Sequence, residues 1–382
     1  MPGGSKHRIL VVNPGSTSTK VALFTGEEMD EEALLPAPPR EGGGGLWDEF
    51  PRRLETLRGW LEGTGIAPGD LDGVVGRGGL LRPLEGGTYR VNEAMLADAR
   101  ANVQGTHASN LGCALARALA DQGQVEGEEP IPAFVVDPVA TDEFQELARL
   151  SGLKEIPRRS LSHALSIHAL VRDVCREEGR EVADSRFVVG HLGGGISICP
   201  VKGGRIVDAN NANSGGPFSP SRTGGLPVQE LLDLAFSGRF DEEELRALTL
   251  KKGGLVSYLG TDDALEVEEG IREGDAKARL VYEAMAYQIG KEIGAMATVL
   301  EGRVDRILLT GGLAGSELLS DWIRRRVSFI APVQVWPAVS EMRALAGGAL
   351  RVLRGEEEAK EYGEQGTPRP GAGLEAPEGR EP

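Results

Sequence analysis

Two short apolar runs set the terms for this chain. Residues 8–13 (Arg-Ile-Leu-Val-Val-Asn) and 186–192 (Arg-Phe-Val-Val-Gly-His-Leu) are short, rich in Val and bounded by turn residues. Each enters a glycine turn and returns as a second apolar stretch, at 18–25 and 196–201. Buried strands carry this signature. Further strands are expected at 71–75, 132–137, 205–209 and 304–310. Helical spacing starts with Trp47, Phe50, Leu54, Leu57 and Leu61 in 47–63. It recurs over 92–102, 108–122, 163–178, 227–237, 275–301, 316–328 and 340–354. Gly179 stands at a helix stop, and Asp275 and Ser340 at helix starts. Strands alternating with helices predict α/β domains with mixed sheets. The two strand–turn–strand units open at 9 and 187, and similar stretches later come apolar strands at 133 and 305. That repetition points to two related domains.

A chain of 382 residues suits two domains at about 150 residues each. Glycine numbers 54, about twice the usual share, without a collagen period, and 40% of residues are hydrophobic. Such a chain needs either many turns or many places where backbone closely approaches something else. Lys and Arg total 42 against 58 Asp and Glu, for a net charge of −16. No basic block is present, so nucleic acid is not an expected partner. No apolar run is long enough to span a membrane, and residues 1–6 lack the apolar core of a signal peptide. Three scattered cysteines, Cys113, Cys175 and Cys199, suit a reducing compartment. A cytoplasmic protein is expected, with linker glycines at 42–45 and a disordered acidic tail over 355–382.

Several segments are candidates for chemistry. Asn13-Pro14-Gly15-Ser16-Thr17-Ser18-Thr19-Lys20 joins two strands. Its glycine and short hydroxyl residues suit phosphate oxygens, with Lys20 as an added cation, and they equally suit a plain hairpin. His191-Leu192-Gly193-Gly194-Gly195 is the corresponding turn in the second half. Thr310-Gly311-Gly312-Leu313-Ala314-Gly315 lies between a strand and a helix without spelling a dinucleotide motif. Arg77 and Arg222 sit among glycines that leave a guanidinium able to fork onto a carboxylate or phosphate. His163 and His168 are five apart, the wrong spacing for a zinc pair on one helix face. Asp137 ends a strand, and Glu341 stands at the start of the last helix. Taken singly, each of these residues also has an ordinary structural explanation.

Taken in order from about residue 8 to 354, the set resembles the acetokinase family within the sugar kinase–Hsp70–actin superfamily. Asn13–Lys20 is similar to its first signature. The 191–195 and 310–312 segments are similar to its second phosphate loop and adenosine loop. The wordings Val75-Gly76-Arg77-Gly78-Gly79-Leu80, Ser160-Leu161-Ser162-His163-Ala164 and the stretch 210–218 resemble the butyrate kinase branch. Departures from the acetate kinase branch fall at Gly194, where that branch has Asn, and around Arg77, where its bulkier sequence is shortened.

The resemblance implies two duplicated actin-like (ribonuclease H-like) domains with an interdomain nucleotide cleft. Residues 1–150 plus 341–354 would form one domain and 151–340 the other. It implies ATP-dependent, reversible phosphorylation of butyrate or isobutyrate to the acyl phosphate, in a homodimer or larger homo-oligomer. Acetate or propionate is the alternative acceptor, and a nucleotide-switched assembly protein the alternative of another class. Arg77, Asp137, His163, His191 and Arg222 would be catalytic. Asn13, Ser16, Ser18, Lys20, Gly193, Gly194, Gly195, Asp262, Gly311, Gly312 and Gly315 would hold ATP or ADP. Asn13 and Glu341 would hold Mg²⁺. The shortening around Arg77 is expected to open an apolar pocket over Gly78 and Gly79 for the acid's tail.

Overall fold

The computed structural model describes residues 6–37, 45–124, 127 and 129–363. It divides into two compact units, Met1–Asp142 with Ser340–Pro382, and Glu143–Val339. The boundaries therefore fall eight residues earlier than the expected 150/151 junction and at 339/340. The physical reason is that Glu143 belongs to the second unit's interior. Its carboxylate accepts from the Ile206 backbone N–H at 2.7 Å and pairs with buried His168 at 3.1 Å. This pair gives His168 a structural part.

In the first unit β1 (Arg8–Pro14), β2 (Ser18–Thr25) and β3 (Glu28–Pro36) form an antiparallel meander. β4 (Gly73–Arg77) pairs parallel with β1, and β6 (Ala133–Val136) parallel with β4. β5 (Thr88–Arg90) runs antiparallel on β6. Ile9, Leu10, Val11 and Val12 are all at most 1% exposed, because β1 is central and covered on both faces. Leu10 and Val12 pack with Leu57 and Leu61 of the helix Phe50–Gly63 and with Leu115 and Leu119 of the helix Gly112–Gln122. The helix Glu341–Leu353 packs on β1, β4 and β6. β3 carries Glu28, Asp30, Glu31 and Glu32 and lies at the sheet's edge. Charge suits an exposed edge strand, and it also erases the apolar signature by which strands are read.

In the second unit β7 (Arg186–Leu192), β8 (Ile196–Lys202) and β9 (Arg205–Ile206) again form an antiparallel meander. β10 (Arg306–Thr310) pairs parallel with β7, and β11 (Val333–Val335) parallel with β10. Strand alternation divides the core. Phe187 and Val189 pack with Ile167, Leu170 and Val174 of the helix Ala164–Glu178. Val188 and Leu192 pack with Tyr282, Met285 and Ile289 of the helix Ala276–Val299. Asp275 caps that helix by accepting from the Lys277 and Ala278 N–H groups.

The strand order β6-β4-β1-β2-β3 is repeated as β11-β10-β7-β8-β9, with the same parallel and antiparallel pairings. The duplication is real, but the strands at 133 and 305 are not equivalent. The first is β6, one strand removed from β1, whereas the second is β10, directly beside β7. Their similar spacing is coincidental. Helices Glu242–Leu250, Gly254–Leu259 and Ala264–Arg272 were not expected from apolar periodicity. The first opens with a reciprocal capping box between Asp241 and Glu244, a signal that periodicity does not register.

The expected disorder from 355 onward is wrong for its first nine residues, 355–363. β12 (Lys360–Glu361) adds parallel to β5. Tyr362 is 5% exposed, and its hydroxyl donates to Asp98 at 2.7 Å and accepts from the Arg82 N–H at 3.1 Å. Arg351 donates to Glu357 at 2.8 Å. An acidic composition misleads here because specific cationic and backbone partners take the carboxylates. The rest of the expected tail, 364–382, and glycines 42–44 of the expected linker lie outside the described residues. Among the described residues, no helix is long and apolar enough to cross a membrane.

Candidate active site

In the first unit, parallel pairing of β1, β4 and β6 brings Asn13, Arg77 and Asp137 to one end of the sheet. Arg77 is 9% exposed and donates through Nη1 to the Asp137 carbonyl at 3.0 Å. Its Nη2 lies 3.9 Å from the Glu341 carboxylate. Burial lowers the guanidinium's pKa, against the smaller raising effects of Glu341 and Asp137. Arginine keeps its proton in proteins, so the guanidinium stays charged beside these groups.

Asp137 is fully buried and has φ +38°, a region that side-chain-bearing residues rarely adopt. It is held there by two bonds to Gly87, whose N–H donates to Oδ1 at 2.7 Å and whose carbonyl accepts from the Asp137 N–H at 3.0 Å. Those two bonds hold the strained backbone in place and so fix the carbonyl that Arg77 uses. Asn13 donates through Nδ2 to Glu341 at 2.9 Å. Glu341 is the first residue of its helix, behind the Ser340 N-cap.

His107 was not singled out from the sequence. The residue is exposed, but its ring is partly buried against Ser109, and its pKa is lowered, first by that burial and then by the charge of Arg77. The Ser109 N–H donates to Nδ1 at 3.2 Å. The neutral ring therefore carries its proton on Nε2. A histidine beside a 3-10 turn that opens a helix (Ala108–Leu111, then Gly112–Gln122) was the available signal. One prediction follows from the sign of the shift. The unfolded chain takes up this proton first as pH falls below the ordinary 6.5, so stability from His107 is complete above that pH and declines beneath it. Melting curves between about pH 7 and 5 should fall less steeply for His107→Asn than for the unmodified chain.

In the second unit the sequence candidates also come together. The His163 and His191 rings stack at 3.9 Å with a 13° interplanar angle. His163 directly precedes the helix Ala164–Glu178, with no side-chain bond to the helix's first N–H groups, and its Nδ1 lies 3.0 Å from the Ser197 hydroxyl. Ser197 pairs directly opposite His191 across β7 and β8, which is why one ring reaches both. Arg222 lies against the glycine turn, so close that a Cβ on Gly195 would sit 2.5 Å from its Nη1. Arg222 donates to the Asn213 side-chain oxygen at 2.8 Å, and burial lowers its pKa. No carboxylate among the described residues pairs with it.

A cavity of about 1050 Å³ opens beside Gly312 and Gly315 and is also lined by Asp262, Glu268 and Ser316. It is large enough for a nucleoside. Glu268 accepts from Tyr282 at 2.9 Å and from Ser316, which caps the helix Glu317–Val327. Burial pushes the Tyr282 hydroxyl's pKa up.

The Lys20 ammonium pairs with Glu32 on the neighbouring strand at 2.9 Å, and Ser16 lies in the turn with Ser18 at its exit. The space expected to open at Gly78 and Gly79 is filled. A Cβ on Gly78 would meet Val135 at 2.4 Å and Pro138 at 2.5 Å, and one on Gly79 would meet Asn110 at 2.1 Å. These glycines let the chain pack on itself.

The acetokinase family matches at residues 154–327. "Probable butyrate kinase 2" of Caldanaerobacter subterraneus subsp. tengcongensis is 48% identical, over 93% of this chain and 99% of its own length. Butyrate kinase 2 of Clostridium acetobutylicum is 45% identical, over 94% and 99% respectively. The fold is that of acetate kinase from Porphyromonas gingivalis, with a TM-score of 0.75 at 18% identity, covering 91% of this chain and all of that one. With two halves of one strand order and near-full-length relatives at this identity, the chain belongs to the acetokinase family.

Proposed function

We propose that this chain transfers the γ-phosphoryl group of ATP reversibly to the carboxylate of a short-chain acid, butyrate or isobutyrate, giving the acyl phosphate and ADP. The observation that carries the reading is Arg77, a buried guanidinium that donates to the Asp137 carbonyl at 3.0 Å and stands 3.9 Å from Glu341 at one end of the sheet. A bound carboxylate or phosphate would take its remaining donors. Near-full-length likeness to two butyrate kinases supports the choice of acid.

A carboxylate is already a nucleophile, so the reaction asks for alignment and charge neutralisation rather than a strong base. Arg77 and Arg222 grip the carboxylate and the phosphoryl oxygens. Asp137 holds Arg77 in place. His163, His191 and His107 donate hydrogen bonds to the developing charge. The turns at 15–18 and 193–195 receive phosphate oxygens, and Gly311, Gly312, Gly315 and Asp262 receive the adenosine.

Glu341 and Asn13 fit Mg²⁺. They supply one half-exposed carboxylate and one amide, and among the described residues there is no cluster of three or more His, Cys, Asp or Glu side chains. An ion that keeps most of its water and leans on substrate phosphates needs no more. When bound, it would neutralise charge on the nucleotide's phosphates. We place the reaction in the cytoplasm, in a homodimer or larger assembly that light scattering will size.

The test is kcat/KM with ATP and Mg²⁺ across straight and branched acids. Each buried CH₂ contributes up to about 0.8 kcal/mol, so adjacent acids should differ only several-fold, with butyrate or isobutyrate above acetate. A higher value for acetate moves the assignment to acetate kinase. Failure to form ATP from ADP and butyryl phosphate would instead favour a nucleotide-switched assembly protein.

A further inference from the structure

Arg53 is among the largest fully buried side chains of the molecule, at 2% exposure, and lies on the helix Phe50–Gly63 behind the turn between β1 and β2. Its Nε and Nη2 donate to Glu49 at 2.9 and 2.6 Å. Nη2 also donates to the Gly15 carbonyl at 2.9 Å. Nη1 donates to the Ser18 carbonyl at 3.3 Å and to the Thr19 hydroxyl at 2.8 Å. These contacts match all five donors of a guanidinium. Three go to the turn and its exit, and the two that go to Glu49 balance the charge.

Peptide groups are planar, with the carbonyl and the following N–H pointing in opposite directions. Holding the Gly15 carbonyl toward Arg53 therefore turns the Ser16 N–H away from it. Holding the Ser18 carbonyl does the same for the Thr19 N–H. The Thr17 carbonyl is fixed from the other strand, by the Ala37 N–H at 2.9 Å. The turn is closed by the Gly15 N–H, which donates to the Ser18 carbonyl at 2.7 Å. Ser16 and Thr17 are themselves exposed, so their side chains do not set its shape, and Arg53 holds both ends of it from behind.

We propose that Arg53, neutralised by Glu49, is a positioning residue that holds the first phosphate turn in its nucleotide-accepting shape. The inference rests on the assignment of residues 15–18 to the nucleotide's phosphates. It predicts a kinetic split. Loss of the guanidinium fork should raise KM for ATP and leave KM for butyrate nearly unchanged, because Arg53 touches nothing in the Arg77 group.

The decisive variant is the full-length double substitution Arg53→Met with Glu49→Leu. It removes both charges together and leaves neither buried alone, so the fold should survive. With folding verified by thermal melting, KM for ATP should rise on the order of tenfold to a hundredfold, as misplacement by about 1 Å does. KM for butyrate should stay within about twofold of the unmodified value. Should the double variant fail to fold, Arg53→Lys keeps the ion pair and loses the fork, and the same split is expected at smaller amplitude. A folded variant with both KM values unchanged, or with both raised equally, overturns the inference. An unmodified chain that neither binds ADP nor turns over ATP would sink the functional reading instead, so the two failures are distinguishable.

Discussion

Arg222→Ala is expected to fold normally and to lose about 10³–10⁵-fold in turnover, the range seen when a charge-neutralising arginine is removed from phosphoryl transfer. Folding should survive because the guanidinium is only partly buried and its hydrogen bonds go to neutral oxygens of Asn213 and Ala212. No carboxylate among the described residues would be left uncompensated. Catalysis should not survive, because this cation has no ionic partner among the described residues and lies against Gly195 in the proposed phosphate turn. Arg222→Lys keeps the charge without the planar fork and should recover only part of the loss. The measurement is kcat with ATP and butyrate beside a thermal melt. Turnover equal to the unmodified chain would remove Arg222 from the mechanism.

How much of this was legible in the sequence depends on which force wrote each feature. Buried strands and amphipathic helices are recorded in apolar spacing, so β1, β7 and the helix Ala276–Val299 could be read directly. Edge strand β3 and strand β12 are held by backbone pairing and charge, which leave no apolar period. The motif residues were readable as a set, and the structure brings Asn13, Arg77, Asp137 and Glu341 together in one unit and His163, His191 and Arg222 together in the other. Their supports were not readable. Arg53 and Ser197 hold their places by contacts between segments distant in sequence, Arg53 with Gly15 and Ser18 and Ser197 with His163. A lone arginine on a predicted helix looks like a solvated one until the turn it holds is in view.

The glycine excess separates into two physical classes, and that separation yields the second large effect. Gly76 and Gly112 face each other where β4 meets the helix Gly112–Gln122. A Cβ on Gly76 would lie 2.1 Å from the Gly112 carbonyl oxygen, and one on Gly112 would lie 2.0 Å from the Arg77 carbonyl oxygen. Both obstacles are backbone, so no rotamer change can relieve them. Strand and helix would have to part. Gly76→Ala should therefore cost about 3 kcal/mol or more, at the upper end of overpacking. In a unit of this size that lowers the melting temperature by about 6–12 °C. It should also depress kcat, because Arg77 is the next residue along the strand. Gly194 belongs to the other class. Nothing lies within 4 Å of the Cβ it lacks. Gly194→Glu should melt with the unmodified chain and raise KM for ATP, since the added carboxylate would stand near the space proposed for a phosphate. Melting curves and ATP titrations on the two variants read both effects. Equal melting temperatures for Gly76→Ala and the unmodified chain would mean that β4 and the helix are not in the contact described. An unaltered KM in Gly194→Glu would mean that the second turn does not meet the nucleotide.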